Sequence, residues 1–122
     1  FAGGAARPRA LPIIEDLAAK YGHPRRCHRA RSAEIPVLAL DEDPANAAER
    51  VRQEVLAAVR EDGPDAVILG CAGMADLADA LTAETGAPVI DGVAAATKLA
   101  EALAGYGLRT SKTGGYAYPR KK

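Results

Sequence analysis

A short apolar run, AVILG at residues 66–70, constrains the fold more strongly than any other part of this sequence. Gly63 and Pro64 precede the run, and Gly70 and Gly73 follow its last aliphatic residue. Short apolar runs between turn residues are typical of strands buried on both faces, as strands in parallel sheets are. The run therefore predicts a strand of a parallel sheet.

Helices and a second strand surround this strand in regular alternation. The spacing of apolar residues predicts helices over 44–62, 74–85 and 93–105, and PVID at 88–91 predicts a second short strand. The order helix, strand, helix, strand, helix is that of right-handed βαβ units. We therefore expect an α/β fold, built as a parallel-sheet βαβ lobe.

The helix over 44–62 has the best-defined ends. Asp43 is a favourable N-cap and Pro44 suits the first helical position, whereas Gly63 and Pro64 end the helix. Residues spaced three and four apart form one stripe that is expected to face the core: Ala48, Val51, Val55 and Val59.

The first third of the sequence is less regular. ALPIIEDLAAKY at 10–21 predicts a helix, and RCHRARS at 26–32 predicts a strand. IPVLAL at 35–40 is apolar, but its Pro36 favours an edge strand or an extended loop. Residues 1–8 have the character of neither helix nor strand. The chain is therefore divided into an irregular segment at 1–8, an α/β lobe at 9–108 and a tail at 109–122.

Cys71 lies where the strand ends and the next helix is expected to begin. At such a helix N-terminus the N–H groups of Ala72, Gly73 and Met74 are unpaired, and they favour a thiolate or a developing oxyanion. Gly70 and Gly73 leave room for a substrate near the backbone. A thiol beside oxyanion donors suits proton transfer at a carbon next to a carbonyl. The alternative, which stays open at this point, is that Cys71 is a small buried residue.

Asp91 and Gly92 follow the second strand as Cys71 follows the first. Ligands of parallel sheets bind beyond the carboxyl ends of the strands, so these residues are candidates to line the same pocket. The simpler role for Asp91 is to cap the N-terminus of the following helix. Both roles remain open from the residues alone.

The composition argues against several classes of function. Sixteen basic and sixteen acidic residues balance, so the chain has no general attraction to nucleic acid or an anionic membrane, and neither partner is expected. Two cysteines 44 positions apart, with no signal-like or membrane-spanning run, favour a reduced cytoplasmic setting. Cys27, His23 and His28 do not complete a ligand set, so no metal is expected. The basic tail is expected to be solvated; its charged residues are Arg109, Lys112, Arg120, Lys121 and Lys122.

Two blocks at the strand ends, GCAGM at 70–74 and PVIDGVAAA at 88–96, resemble hydantoin racemases of the aspartate/glutamate racemase superfamily, with allantoin racemases as near relatives. The resemblance extends upstream through LPIIEDLAAKYG and IPVLALDEDPANAAERV and covers about residues 9–119. It implies an isomerase that needs no cofactor. In such a racemase two cysteines, one from each of two α/β lobes, exchange a proton at the carbon alpha to a carbonyl. The implied substrates are 5-substituted hydantoins or allantoin.

On this resemblance, Cys71 corresponds to the catalytic cysteine of the second lobe. Gly70, Ala72 and Gly73 then form the backbone cradle around the substrate, and Asp91, Gly92 and Val93 form the neighbouring pocket wall. Cys27 does not correspond to the first-lobe cysteine, because its context RRCHRARSAEIP matches an ordinary second-lobe segment.

The same resemblance implies that the lobe is incomplete. The first lobe has no counterpart, and FAGGAARPR stands where the family has the first apolar strand of the second lobe. We therefore expect little racemase activity from these 122 residues alone. We also expect exposed apolar residues on the helix over 93–105, and self-association into a homo-oligomer.

Two other functions remain as alternatives. One is a one-cysteine decarboxylase or isomerase of the same superfamily. The other is a noncatalytic α/β binding module, in which Cys71 only fills space. Thiol chemistry separates a site from a filler, because a site cysteine alkylates quickly near neutral pH and a buried filler resists.

Overall fold

The computed structural model describes residues 1–36 and 38–120. Its strands form a four-stranded sheet in the order β2-β1-β3-β4, and each neighbouring pair is parallel. The strands are β1 (Ala2–Ala5), β2 (Arg29–Ser32), β3 (Val67–Leu69) and β4 (Val89–Asp91). The expected α/β fold with a parallel sheet is confirmed.

Helices connect the strands in the described part of the chain. The α-helices are α1 (Leu11–Lys20), α2 (Ala39–Glu42), α3 (Pro44–Asp62), α4 (Ala78–Thr85) and α5 (Gly92–Gly105). Three short 3-10 helices cover Pro8–Ala10, Ala72–Leu77 and Gly114–Tyr116. None of the helices in these described residues combines the length and the apolar character needed to cross a membrane.

The N-terminal segment corrects the expectation that residues 1–8 are irregular. Ala2–Ala5 form β1, which lies between β2 and β3 inside the sheet. AGGA has low strand propensity, so the sequence pattern misses it. Tertiary packing overrides that propensity. Ile14 of α1 lies so close to the strand that a Cβ on Gly3 would be only 3.0 Å from Ile14 Cγ2. The small residues let the helix pack closely on the strand.

Helix α3 begins and ends where the sequence predicts. The Asp43 side chain accepts a hydrogen bond from the Asn46 N–H, and Gly63 ends the helix with a left-handed φ of 55°. The buried face is rotated from the predicted stripe, so Ala48 and Val59 are only half-buried. Its buried residues are Ala47, Val51, Val55 and Ala58.

The core lies between one face of the sheet and helices α3 and α4. Val67 and Leu69 of β3 point into it, whereas Ile68 between them is half-buried on the other face. Ile35 and Met74 complete the set of large, fully buried side chains together with Val67. The opposite face is covered less completely, since α1 and α5 contain no buried residue.

Two further expectations are corrected. Ala39 and Leu40, expected in an extended run, begin α2, and the Ala39 N–H donates to the Pro36 carbonyl oxygen at 2.9 Å. The predicted helix over 74–85 is a 3-10 helix followed by α4, which ends at the left-handed C-cap Gly86. Val37 of the 35–40 run, and Lys121 and Lys122 of the tail, lie outside the described residues.

Helix α5 confirms the expected exposure of apolar side chains. Leu99 is 66% exposed, and Val93 and Leu103 are exposed as well. The helix begins one residue before the predicted start and ends at the predicted Gly105.

Candidate functional site

Cys71 lies at the carboxyl edge of the sheet, two residues after β3 ends. The last register pair of β3 and β4 is Leu69 with Asp91, so the ends of both strands meet beside this cysteine. On the other side, the Gly70 N–H donates to the Gly4 carbonyl oxygen of β1 at 2.7 Å. Cys71 is a free, half-buried thiol. The structure therefore brings the two predicted strand exits together.

Gly70 and Gly73 are exposed, but each has a neighbouring atom close to where a Cβ would stand. A Cβ on Gly70 would lie 2.7 Å from the Gly4 carbonyl oxygen, which is closer than real Cβ contacts allow. A Cβ on Gly73 would lie 3.0 Å from Leu40 Cδ1 on α2. The sequence predicts open space for a substrate at these glycines, and the structure adds an internal reason for each.

The backbone N–H groups after Cys71 are only partly available. The Met74 N–H donates to the Cys71 carbonyl oxygen at 3.0 Å, which corrects the expectation that it is unpaired. Ala72 and Gly73 precede this first hydrogen bond of the 3-10 helix. Their two N–H groups are the candidate donors to an oxyanion.

Asp91 caps helix α5. Its two carboxylate oxygens accept hydrogen bonds from the Val93 and Ala94 N–H groups, each at 2.9 Å. The capping role predicted for Asp91 is confirmed, and it uses both carboxylate oxygens. Gly92 sits close to the end of β3, since a Cβ there would lie 3.5 Å from the Leu69 carbonyl oxygen.

A groove of about 570 Å³ runs between the 3-10 helix 72–77, β4 and α5. Asp91 is one of its lining residues, and Asp76, Asp79 and Lys98 supply its other charges. Cys71, Gly70 and Val93 are not among the residues that line it. Asp91 therefore lines this groove and also lies at the strand end paired with the last residue before the Cys71 turn.

Cys27 lies at the other edge of the sheet. It precedes β2, whereas Cys71 follows β3, and the two strands are parallel to β1 between them. Burial raises the pKa of the Cys27 thiol above its ordinary value, which disfavours its thiolate. Among the described residues, no three His, Cys, Asp or Glu side chains are grouped closely enough to hold a metal ion.

An ion-pair cluster around Arg31 was not predicted from the sequence. The Arg31 guanidinium donates to both Asp62 carboxylate oxygens, at 2.5 and 3.0 Å, and also contacts Glu54 and Glu61. The Arg31 and Asp62 side chains are only 10% and 7% exposed. The hydrogen bonds from Arg31 lower the pKa of the Asp62 carboxyl. The sequence features that could have indicated this cluster are an arginine on a predicted strand and the acidic residues at the end of the helix over 44–62.

Comparison with known proteins gives consistent matches. The family model described as Asp/Glu/hydantoin racemase matches residues 5–100. The chain is 55% identical over 115 residues to a hydantoin racemase of Rhizobium meliloti, covering 94% of this chain and 48% of that protein. It is 46% identical over 115 residues to a hydantoin racemase of Pseudomonas sp. (strain NS671), covering 94% of this chain and 46% of that protein.

Solved structures agree with these sequence matches. An allantoin racemase from Klebsiella pneumoniae superposes with a TM-score of 0.88 at 45% identity, covering all of this chain and 50% of that one. An allantoin racemase from Pseudomonas fluorescens superposes with a TM-score of 0.84 at 41% identity, covering 100% of this chain and 52% of that one. The chain spans about half the length of the relatives it matches.

Proposed function

This chain belongs to the Asp/Glu/hydantoin racemase family, and we propose that it supplies one of two proton-transfer thiols of a racemase acting on 5-substituted hydantoins or allantoin. One observation carries the proposal. Cys71 is a free thiol two residues after an internal strand of a parallel sheet, in a chain 55% identical to a hydantoin racemase. Ligands of such sheets bind at that edge.

The proposed reaction moves only protons. A thiolate removes the proton from the carbon next to the carbonyl, and the electron pair of that C–H bond passes into an enolate. The Ala72 and Gly73 N–H groups stabilise the negative charge that develops on the oxygen. A thiol on the opposite face donates its proton to the carbon, which inverts the centre and leaves a thiolate. Because the carbonyl of the substrate takes up the charge of the carbanion as an enolate, the proposed reaction needs no cofactor to stabilise it.

The neighbouring residues have separate roles in this proposal. Gly70 and Gly73 keep the Cys71 turn close to β1 and α2, so the thiol has a defined position. Asp91 holds the start of α5 through its two capping hydrogen bonds. Gly92 and Val93 then form the wall of the substrate pocket, with the exposed Val93 side chain next to the substituent at C5 of the ring.

The opposite thiol is proposed to come from the half of the family fold that these residues do not span. Cys27 is a poor candidate, because it lies at the amino edge of the sheet and its burial raises its pKa. A polypeptide of residues 1–122 alone is therefore expected to racemise an enantiopure hydantoin or allantoin little or not at all. Rapid loss of optical rotation in a polarimeter with the purified polypeptide contradicts the two-thiol proposal.

A chimera tests the role of Cys71. Residues 1–122 replace the matching half of the Rhizobium meliloti hydantoin racemase, and racemisation is followed by polarimetry with hydantoin and allantoin in separate arms. Cys71→Ser is expected to lower the rate by about a hundredfold or more, because general acid–base groups contribute rates of this order. Cys27→Ser is the matched control and is expected to keep the parent rate. Equal rates for the two variants contradict the proposal and favour a space-filling role for Cys71.

The exposed apolar face of α5 supports a second part of the proposal, which is self-association of the isolated chain. Leu99, Leu103 and Tyr106 are all exposed on this helix or at its end. Large exposed apolar patches favour association. Sedimentation at several concentrations is expected to show a mass above that of one chain, and a monomer at every concentration contradicts this part.

A further inference from the structure

The turn that holds Cys71 packs against a side chain from a distant part of the sequence. Leu40 of α2 lies against one side of the exposed Gly73, since a Cβ on Gly73 would lie 3.0, 3.6 and 3.8 Å from Leu40 Cδ1, Cβ and Cγ. Leu40 is itself half-buried and packs against the main core. The leucine therefore touches both the core and the backbone two residues after the thiol.

The other restraints on this turn come from the backbone and the core. The Gly70 N–H is bonded to Gly4 at 2.7 Å, and the Met74 N–H is bonded to the Cys71 carbonyl at 3.0 Å. Met74 is 1% exposed and anchors the 3-10 helix in the core. Gly73 lies between these anchored points and has no side chain. The face of the turn at Gly73 is therefore held by Leu40.

Helix α2 is built to present Leu40. The Ala39 N–H donates to the Pro36 carbonyl at 2.9 Å, and the Asp43 N–H donates to the Ala39 carbonyl at 3.0 Å. Asp43 then caps α3, the longest helix in the described residues. The four-residue helix is thus fixed at both ends, although none of its side chains is fully buried.

We propose that Leu40 is a positioning residue for the Cys71 thiol, acting through Gly73. The proposal rests on the proposed function of Cys71 for its catalytic meaning, but the mechanical part concerns only the turn. When Leu40 is shortened, the 72–74 backbone gains freedom and the Cys71 thiol leaves its half-buried position more often. Local loosening of this kind changes the accessibility of one thiol and leaves the rest of the fold in place.

The experiment measures the alkylation of Cys71 relative to Cys27 in the folded 122-residue chain. Iodoacetamide is added below the denaturation midpoint, and both modified peptides are quantified by mass spectrometry over time. Cys27 is the internal reference, because it is also half-buried and lies at the opposite edge of the sheet. A residue that only adds global stability alters both rates together, whereas a positioning residue alters their ratio.

Leu40→Ala is expected to raise the Cys71 to Cys27 rate ratio about threefold or more, through local opening of the turn. Leu38→Ala is the matched control, since Leu38 lies two residues before Leu40 and is 69% exposed. Leu40→Met keeps the length of the side chain and is expected to keep the parent ratio. Adding Gly73→Ala to Leu40→Ala puts a methyl group into the vacated space, and the ratio is expected to fall back toward the parent value.

An unchanged ratio in Leu40→Ala, or an equal change in Leu38→Ala, overturns the positioning role. This failure is distinct from failure of the proposed function, which is tested by racemisation in the chimera with Cys71→Ser. If Cys71→Ser abolishes racemisation and Leu40→Ala leaves the ratio unchanged, only the positioning role is wrong. If the ratio changes and racemisation survives Cys71→Ser, only the catalytic role is wrong.

Discussion

Replacing Gly70 by alanine is expected to destabilise the fold more than the same change at Gly3 or Gly4 of β1. The new Cβ would lie 2.7 Å from the Gly4 carbonyl oxygen, so it must move by several tenths of an ångström to reach an ordinary contact. The Cβ is fixed to the backbone of Gly70, one residue after β3 ends, and the oxygen belongs to the backbone of β1, so neither atom can rotate away. The strands must separate instead.

The cost has two parts. Overpacking that shifts backbone costs about 1–3 kcal/mol. Weakening the hydrogen bond from the Gly70 N–H to the Gly4 carbonyl costs about 1 kcal/mol. Together these give about 2–4 kcal/mol, a large share of the 5–15 kcal/mol that stabilises a typical domain.

Two glycines of β1 provide a graded control. A Cβ on Gly4 would meet its nearest atom, the Ile68 carbonyl oxygen, at an ordinary 3.5 Å. A Cβ on Gly3 would meet Ile14 Cγ2 at 3.0 Å, and that side chain has some room to adjust. Urea unfolding followed by circular dichroism is expected to show the smallest loss of unfolding free energy for Gly4→Ala, a larger loss for Gly3→Ala and the largest for Gly70→Ala. Gly105→Ala, with nothing within 4 Å, is the clash-free reference, and it is expected to raise the free energy of unfolding by up to about 1 kcal/mol because Gly105 lies in α5. If Gly70→Ala unfolds at the same urea concentration as Gly4→Ala, the packing argument is refuted.

Two further predictions concern charge and backbone strain. Hydrogen bonds from Arg31 lower the pKa of the Asp62 carboxyl in the folded state. The ion pair therefore stabilises the fold at pH values above the pKa of an unfolded aspartate, which is about 4. This stabilisation is lost as the pH falls through the folded-state pKa. Asp62→Asn is therefore expected to lower the free energy of unfolding by about 1–2 kcal/mol at pH 7 and to make stability fall less steeply below pH 4. Urea unfolding at several pH values measures both effects. If the variant loses stability below pH 4 as steeply as the parent, the ion pair does not contribute as argued. Glu34 has a left-handed φ of 55°, which side chains rarely adopt. Glu34→Gly is expected to raise the free energy of unfolding by about 0.5 kcal/mol, because glycine adopts this backbone conformation without strain. Glu15→Gly inside α1 is the control and is expected to lower it by about 1 kcal/mol. If both changes destabilise the protein, Glu34 is not strained.

Much of the fold follows from patterns that are local in the sequence. Helix α3 was predicted to the residue, because Asp43, Pro44 and Gly63 determine its ends through capping and backbone geometry alone. The strand before Cys71 and the cap at Asp91 were predicted for the same reason. These features need only neighbouring residues to be recognised.

The features that were missed depend on contacts between distant parts of the chain. AGGA becomes a strand because two other strands pair with it and α1 lies close against Gly3. The 35–40 run turns into helix at Ala39 although its apolar pattern favours an extended form. For the site, the sequence placed Cys71 and Asp91 at one sheet edge, but the bond from Met74 and the packing of Leu40 came only from the structure.

The position of β1 in the sheet has a consequence for the order in which the protein folds. This strand comes first in the sequence, yet it pairs with β2 from residue 29 and with β3 from residue 67. Its side chains are too small to hold it against either neighbour by hydrophobic contact alone. A ribosome must therefore finish β3 before β1 can be enclosed, and closing so long a loop makes folding slower than it is for chains with mainly local contacts. Until then β1 can pair with β2 but its other side, which β3 later covers, stays open, so a chaperone that binds extended segments has its natural opportunity in this interval.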